Sequence, residues 1–199
     1  MEYLILLRHG QTSINTAEKL HAKNDEDILN EKGIEQTKEV AKKLKEFSPT
    51  KIYSSGEKRA ILSAEIIVKE LNIPLEIKKD IAERDWGDFA GGTWDKVKKI
   101  LDPMTLEERY LYVPPNGESW QQFETRLIET VKNVLLENKN KTIVVVTHAG
   151  VVRALMPYLL GIPKEETFKY NPENASLTIF SHTNGKFTPI LINDTKHLI

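Results

Sequence analysis

Tyr3-Leu4-Ile5-Leu6-Leu7-Arg8-His9-Gly10 decides the fold. Five apolar residues in a row read as a strand buried on both faces, the kind found in parallel sheets. The strand delivers an arginine and a histidine to its carboxyl end, where a glycine lets the backbone turn. In open α/β sheets ligands bind at that edge. A second run, Ile143-Val144-Val145-Val146-Thr147, ends in His148-Ala149-Gly150. Two histidines at strand tips, each closely followed by glycine, predict one site assembled from both ends of the chain.

The segments between these runs alternate between helix and strand. A helix is expected to start near Ser13, which can cap it. Asn30 is expected to cap a second that runs to about Phe47, with Ile34, Val40, Ala41, Leu44 and Phe47 facing inward. Lys51 to Ser54 reads as a strand, Glu57 to Leu71 as a helix, and Leu75 to Ile77 as a brief strand. Ser119, with Gln122 three positions on, forms a capping box for a helix to about Asn138. Strand 142–147 follows, then a helix from about Val151 to Leu160. A terminal hairpin joins Ser176–Phe180 to Phe187–Ile192 around Asn184-Gly185. The expected architecture is a three-layer α/β/α sandwich with a mostly parallel central sheet. The whole of 1–199 is expected to form one domain, with residues of about 80–117 inserted over the active edge.

Composition narrows the function. A net charge of -1 gives no general attraction to nucleic acid or acidic membranes. Zero cysteines exclude disulfides, thiolate catalysis and thiolate metal sites, and fit a reducing cytoplasm. No stretch approaches the ~20 apolar residues that cross a bilayer. No phosphate-loop or dinucleotide glycine signature is present, and no His-x-x-x-His pair suggests a metal. Neither metal nor cofactor is expected.

The side chains at the sheet edge suit phosphoryl chemistry. His9 is the candidate nucleophile, because a neutral imidazole nitrogen can attack phosphorus and divide one hard displacement into two. Arg8 and Arg59 are the candidate phosphate clamp, since guanidinium donates paired hydrogen bonds to phosphate oxygens. His148 is a second phosphate ligand, assisted by backbone N–H groups at Ala149 or Gly150. Glu83 is the candidate acid and base, with Asp85 and Asp88 as neighbouring competitors. His21, His182 and His197 read as structural or exposed.

In this order the motifs resemble the histidine phosphatase superfamily, also called phosphoglycerate mutase-like. Leu7-Arg8-His9-Gly10-Gln11-Thr12 with Asn15, then Leu29-Asn30-Glu31-Lys32-Gly33 with Gln36, match its opening segments. Ser54-Ser55 through Arg59-Ala60, Glu83 ahead of Trp86-Gly87, Pro115-Asn116-Gly117-Glu118-Ser119, and Val146-Thr147-His148-Ala149-Gly150 complete the set. The resemblance implies a metal-independent phosphohistidine mechanism, with His9 as nucleophile and Glu83 as proton donor. Arg8, Arg59 and His148 then bind phosphate, and Asn15 joins the pocket. It also implies a small phosphate ester as substrate and the compact phosphatase branch, similar to α-ribazole and broad-specificity phosphatases. A cofactor-dependent mutase is the alternative enzyme, although Asp85-Trp86 stands where typical mutases carry His-Tyr. A catalytically silent phospho-ligand or protein-binding module is the alternative outside enzymes. His21-Ala22-Lys23-Asn24 replaces a Gly/Trp-containing stretch common in the phosphatases. A monomer or homodimer is expected.

Overall fold

The computed structural model describes residues 2–22, 26–183 and 185–198. β1 (Glu2–Arg8) lies inside a six-stranded sheet, not at its edge. A four-residue helix α1 (Ser13–Thr16) follows, then α2 (Glu31–Leu44), β2 (Lys51–Ser54), α3 (Lys58–Leu71) and β3 (Leu75–Ile77). The insertion carries α4 (Trp94–Leu101) and α5 (Leu106–Leu111). The chain returns through α6 (Trp120–Glu137), β4 (Ile143–Thr147) and α7 (Ala149–Leu160), and ends in the hairpin β5 (Leu177–Thr183) and β6 (Lys186–Asp194). The turn residue Asn184 lies outside the described residues.

The strand order is β3-β2-β4-β1-β5-β6. β3, β2, β4 and β1 run parallel, whereas β5 pairs antiparallel with β1, and β6 antiparallel with β5. Alternation along β1 divides the core. Leu4 and Leu6 join Phe123, Leu127 and Val131 of α6 and Leu155 of α7 on one face. Ile5 and Leu7 join Val40 and Leu44 of α2 and Ala64 and Ile67 of α3 on the other. The continuous apolar run is therefore a strand covered by helices on both sides.

Local sequence explains most boundaries. Asn30 caps α2 by accepting from Gly33 N, and Ser119 caps α6 in the expected box with Gln122. Two positions differ from expectation. Thr12, not Ser13, caps α1, because its hydroxyl accepts from Asn15 N while the Asn15 side chain accepts from Thr12 N. Ile34 is 37% exposed, because Gly33, Thr37, Val40, Ala41 and Leu44 form the inward line of α2. Gly33 serves close approach: a Cβ there would stand 2.1 Å from the Gln11 carbonyl oxygen. That contact lays α2 directly against the loop leaving β1.

Candidate active site

The carboxyl ends of β1, β2 and β4 converge. His9 N donates to the Thr147 carbonyl at 2.9 Å, and Ser55 N donates to the Val146 carbonyl at 3.1 Å, so three strand tips are tied at one level. Above them lies a cavity of about 1020 Å³. Arg8, His9, Asn15, Arg59, Glu83, His148 and Ala149 all line it. These seven residues, all expected from sequence, are thus brought to one place, whereas the competing Asp88 does not line the cavity.

His9 is buried, and its Nδ1 lies 2.8 Å from the Gly10 carbonyl oxygen. A carbonyl only accepts, so Nδ1 carries the proton and Nε2 the lone pair. Arg59 Nε donates to that Nε2 at 3.3 Å. Burial, then the neighbouring Arg59, His148 and Arg8, hold the His9 imidazole well below its ordinary pKa. With the proton on Nδ1 the ring is neutral, and its unprotonated nitrogen faces a guanidinium.

Arg8 donates to the Pro172 carbonyl at 2.7 Å, and its buried Nε has no hydrogen-bond partner among the described residues. Burial lowers its pKa to about 10, which leaves it charged at neutral pH. Asn15 accepts on Oδ1 from Thr12 N at 3.1 Å and from Asn174 Nδ2 at 2.9 Å. With both bonds on Oδ1, Nδ2 is the amide end left to meet an anion. His148 caps α7, so Ala149 is the first residue of that helix.

Glu83 stands at the start of the insertion. Its Oε2 accepts from Gly150 N at 2.9 Å, and its Oε1 from Arg84 N at 2.8 Å. Of the two backbone donors expected to assist phosphate, Gly150 is therefore already engaged by Glu83. Arg126 of α6 clamps the loop that carries Glu83. It donates to the carbonyls of Asp80, Ala82 and Glu83 and to both carboxylate oxygens of Glu118. Of the competing acids, Asp85 caps Gly87 N at 2.9 Å and Asp88 accepts from Asn116 at 3.0 Å.

Three further residues belong to the site. His21, expected to be structural or exposed, lines the cavity. It packs edge-on to His9 with ring centroids 6.0 Å apart and reaches Asp27 Oδ2 at 2.9 Å. Lys23 and Asn24, which follow it, lie outside the described residues. Arg153 donates to the Tyr170 carbonyl at 2.7 Å on the cavity wall. Glu57 touches both Arg59 and His148. Spacing contained no signal for His21, because its neighbour His9 is brought to it by the fold. Glu57 lies within a quoted motif without a role of its own, and Arg153 lies three residues beyond another.

Residues 4–195 match the family model of the histidine phosphatase superfamily (branch 1). A metal-independent phosphoserine phosphatase of Arabidopsis thaliana is 33% identical over 158 residues, which cover 76% of this chain and 66% of that protein. Phosphoglycerate mutase-like protein 4 of the same plant is 31% identical over 203 residues, 98% of this chain and 86% of that one. Among solved structures, a mutant phosphoserine phosphatase from Entamoeba histolytica in complex with phosphoserine superposes with a TM-score of 0.87. Its sequence identity is 26%, and both chains are fully covered.

Proposed function

The chain belongs to branch 1 of the histidine phosphatase superfamily and is a hydrolase of small phosphate esters; we propose that it works through a phosphohistidine formed on His9, with Glu83 as proton donor and Arg8, Asn15, Arg59, His148 and the Ala149 N–H as phosphate ligands. The observation that carries this reading is the neutral, Nδ1-protonated His9 ring facing Arg59 inside a cavity edged by Glu83.

The chemistry follows from those positions. The phosphate is held by the cations, which offset charge on its equatorial oxygens. His9 Nε2 attacks in line: a P–N bond forms and the P–O bond to the alcohol breaks. Glu83 gives its proton to the departing oxygen. Water then enters, Glu83 takes one of its protons, the P–N bond breaks, and inorganic phosphate leaves a neutral His9. No step requires a metal, so we read the enzyme as metal-independent. Uncatalysed monoester hydrolysis is among the slowest reactions known, and enzymes accelerate it by up to about 10²¹-fold. Positioning and fixed positive charge must supply most of that.

The alcohol half faces the insertion, where Trp86 and Trp94 line the cavity. Phosphoserine heads the substrate panel because relatives carry that name, followed by sugar phosphates and α-ribazole phosphate. We place the enzyme in the cytoplasm on its lack of cysteine. No helix among the described residues is long and apolar enough to cross a membrane.

Rapid quenching with radiolabelled substrate tests the mechanism. Wild type is expected to yield acid-labile, base-stable label on His9, and His9→Ala to yield none and to lose turnover while keeping its circular dichroism spectrum. Full turnover by His9→Ala would remove the nucleophile. Transfer of the label to 3-phosphoglycerate rather than water would replace hydrolysis by mutase chemistry.

A further inference from the structure

A carboxylate sits among the cations of the phosphate clamp. Glu57 lines the cavity with its side chain 20% exposed. Its Oε1 lies 3.2 Å from Arg59 Nη2. Its Oε2 pairs with His148 Nε2 and accepts from Glu83 N at 3.2 Å. The groups around it come from every neighbouring segment: His148 from the end of β4, Arg59 from α3, the Glu83 N–H from the insertion, and Ser55, whose hydroxyl accepts from Glu57 N at 3.4 Å. Arg8 and the uncharged His9 at the tip of β1 line the same cavity. Burial on its own would raise the Glu57 carboxyl, but His148, Arg59 and the Glu83 N–H outweigh it and hold the group below the usual carboxylate range.

An ionised carboxylate has only acceptors. An anion that takes donors from Arg59 and His148 comes up against Glu57, because the same two side chains contact both. A bare phosphate oxygen would meet it as like charge on like charge. A protonated phosphate oxygen would meet it as a hydrogen-bond donor. We propose that Glu57 accepts a hydrogen bond from a protonated oxygen of the bound phosphate, so that the site takes the proton-bearing phosphate and rejects anions that have no proton to give. This rests on the cavity being the phosphate site, and it adds a selectivity to that site.

Sulfate is the discriminating probe, since it matches the hydrogenphosphate dianion in shape and charge but carries no proton near neutral pH. Phosphate monoesters lose their second proton near pH ~6, so at that pH a large share still offers a P–OH. The experiment measures binding of inorganic phosphate and of sulfate by calorimetry at pH 6, on wild type, Glu57→Gln and Glu57→Asp. Wild type is expected to prefer phosphate by roughly tenfold or more, the worth of one hydrogen bond to a charged acceptor. Glu57→Gln, whose amide can also donate, is expected to gain sulfate affinity and erase most of that preference. Glu57→Asp keeps the charge and is expected to keep rejecting sulfate. If Glu57→Gln changes both affinities by the same factor, Glu57 only braces His148 and Arg59, and the proposal falls. Sulfate binding to wild type as tight as phosphate would also overturn it. Wild type that binds neither anion and turns over no ester would instead overturn the phosphate-site reading on which the proposal stands.

Discussion

Replacing Gly150 by alanine separates stability from catalysis. Gly150 is the second residue of α7, and its N–H donates to Glu83 Oε2 at 2.9 Å. A Cβ at that position would stand 2.1 Å from Glu83 Oε1, 2.9 Å from its Cδ and 3.1 Å from Oε2. The obstruction is the tip of a side chain, so the carboxylate can swing aside while the backbone stays. Reaching ordinary contact needs a retreat of about 1 Å or more, and a displacement of that size costs on the order of 10²-fold in rate. In the helix itself, alanine is favoured over glycine by about 1 kcal/mol. A chain of this size therefore gains roughly 2–4 °C in Tm, or loses little. Gly150→Ala is thus expected to fold as well as wild type and to hydrolyse alkyl phosphates about 100-fold more slowly. Aryl phosphates, whose leaving groups need less protonation, should suffer far less. Steady-state kinetics on serine phosphate and p-nitrophenyl phosphate, beside a thermal melt, decide the matter. In a Glu83→Gln background the alanine should add almost no further loss, since both changes act on one group. Alkyl and aryl turnover falling by the same factor, or an alkyl rate left unchanged, would refute Glu83 as the proton donor.

Two other outcomes follow from the same geometry. Because buried His9 resists protonation, it stays neutral below pH 6.5, whereas an unfolded histidine takes up a proton there. Stability attributable to it is therefore present above that pH and lost as pH falls, by up to about 1.4 kcal/mol per pH unit. Urea melts at pH 7 and pH 5 should show that loss, and His9→Asn should reduce it; an unaltered pH dependence in His9→Asn would contradict the assignment. Prolonged EDTA treatment should leave phosphatase activity unchanged; a loss restored by a divalent cation would contradict metal-free chemistry.

Much of this molecule is legible in its sequence because local rules and tertiary packing agree. The strand Lys51–Ser54 and the strand Leu75–Ile77, which directly follows Pro74, fall within the expected bounds. The Ser119 box starts α6 where serine and glutamine satisfy the first free N–H groups. The misreadings have equally local causes. Ile34 looked inward by hydropathy, but the helix needed Gly33 against the backbone of the β1 loop. Ser13 and Thr12 are both plausible caps, and the choice turned on reciprocity with Asn15. At the site, Arg8, His9 and His148 were readable from strand ends. The contacts of His21 and Glu57 were not, because Glu57 meets His148, 91 positions further along the chain, through a pairing that no periodicity encodes.

Placing β1 in the interior of the sheet also has a consequence for biosynthesis. Both of its neighbours, β4 and β5, are encoded after residue 142. As the nascent chain leaves the ribosome, the segment bearing His9 emerges before both of these strands and waits, apolar and unpaired, until they have been translated. Such late closure makes for slow assembly and prolonged exposure to sticking. It also means that a truncated product lacking the last third has no sheet in which to hold its histidine.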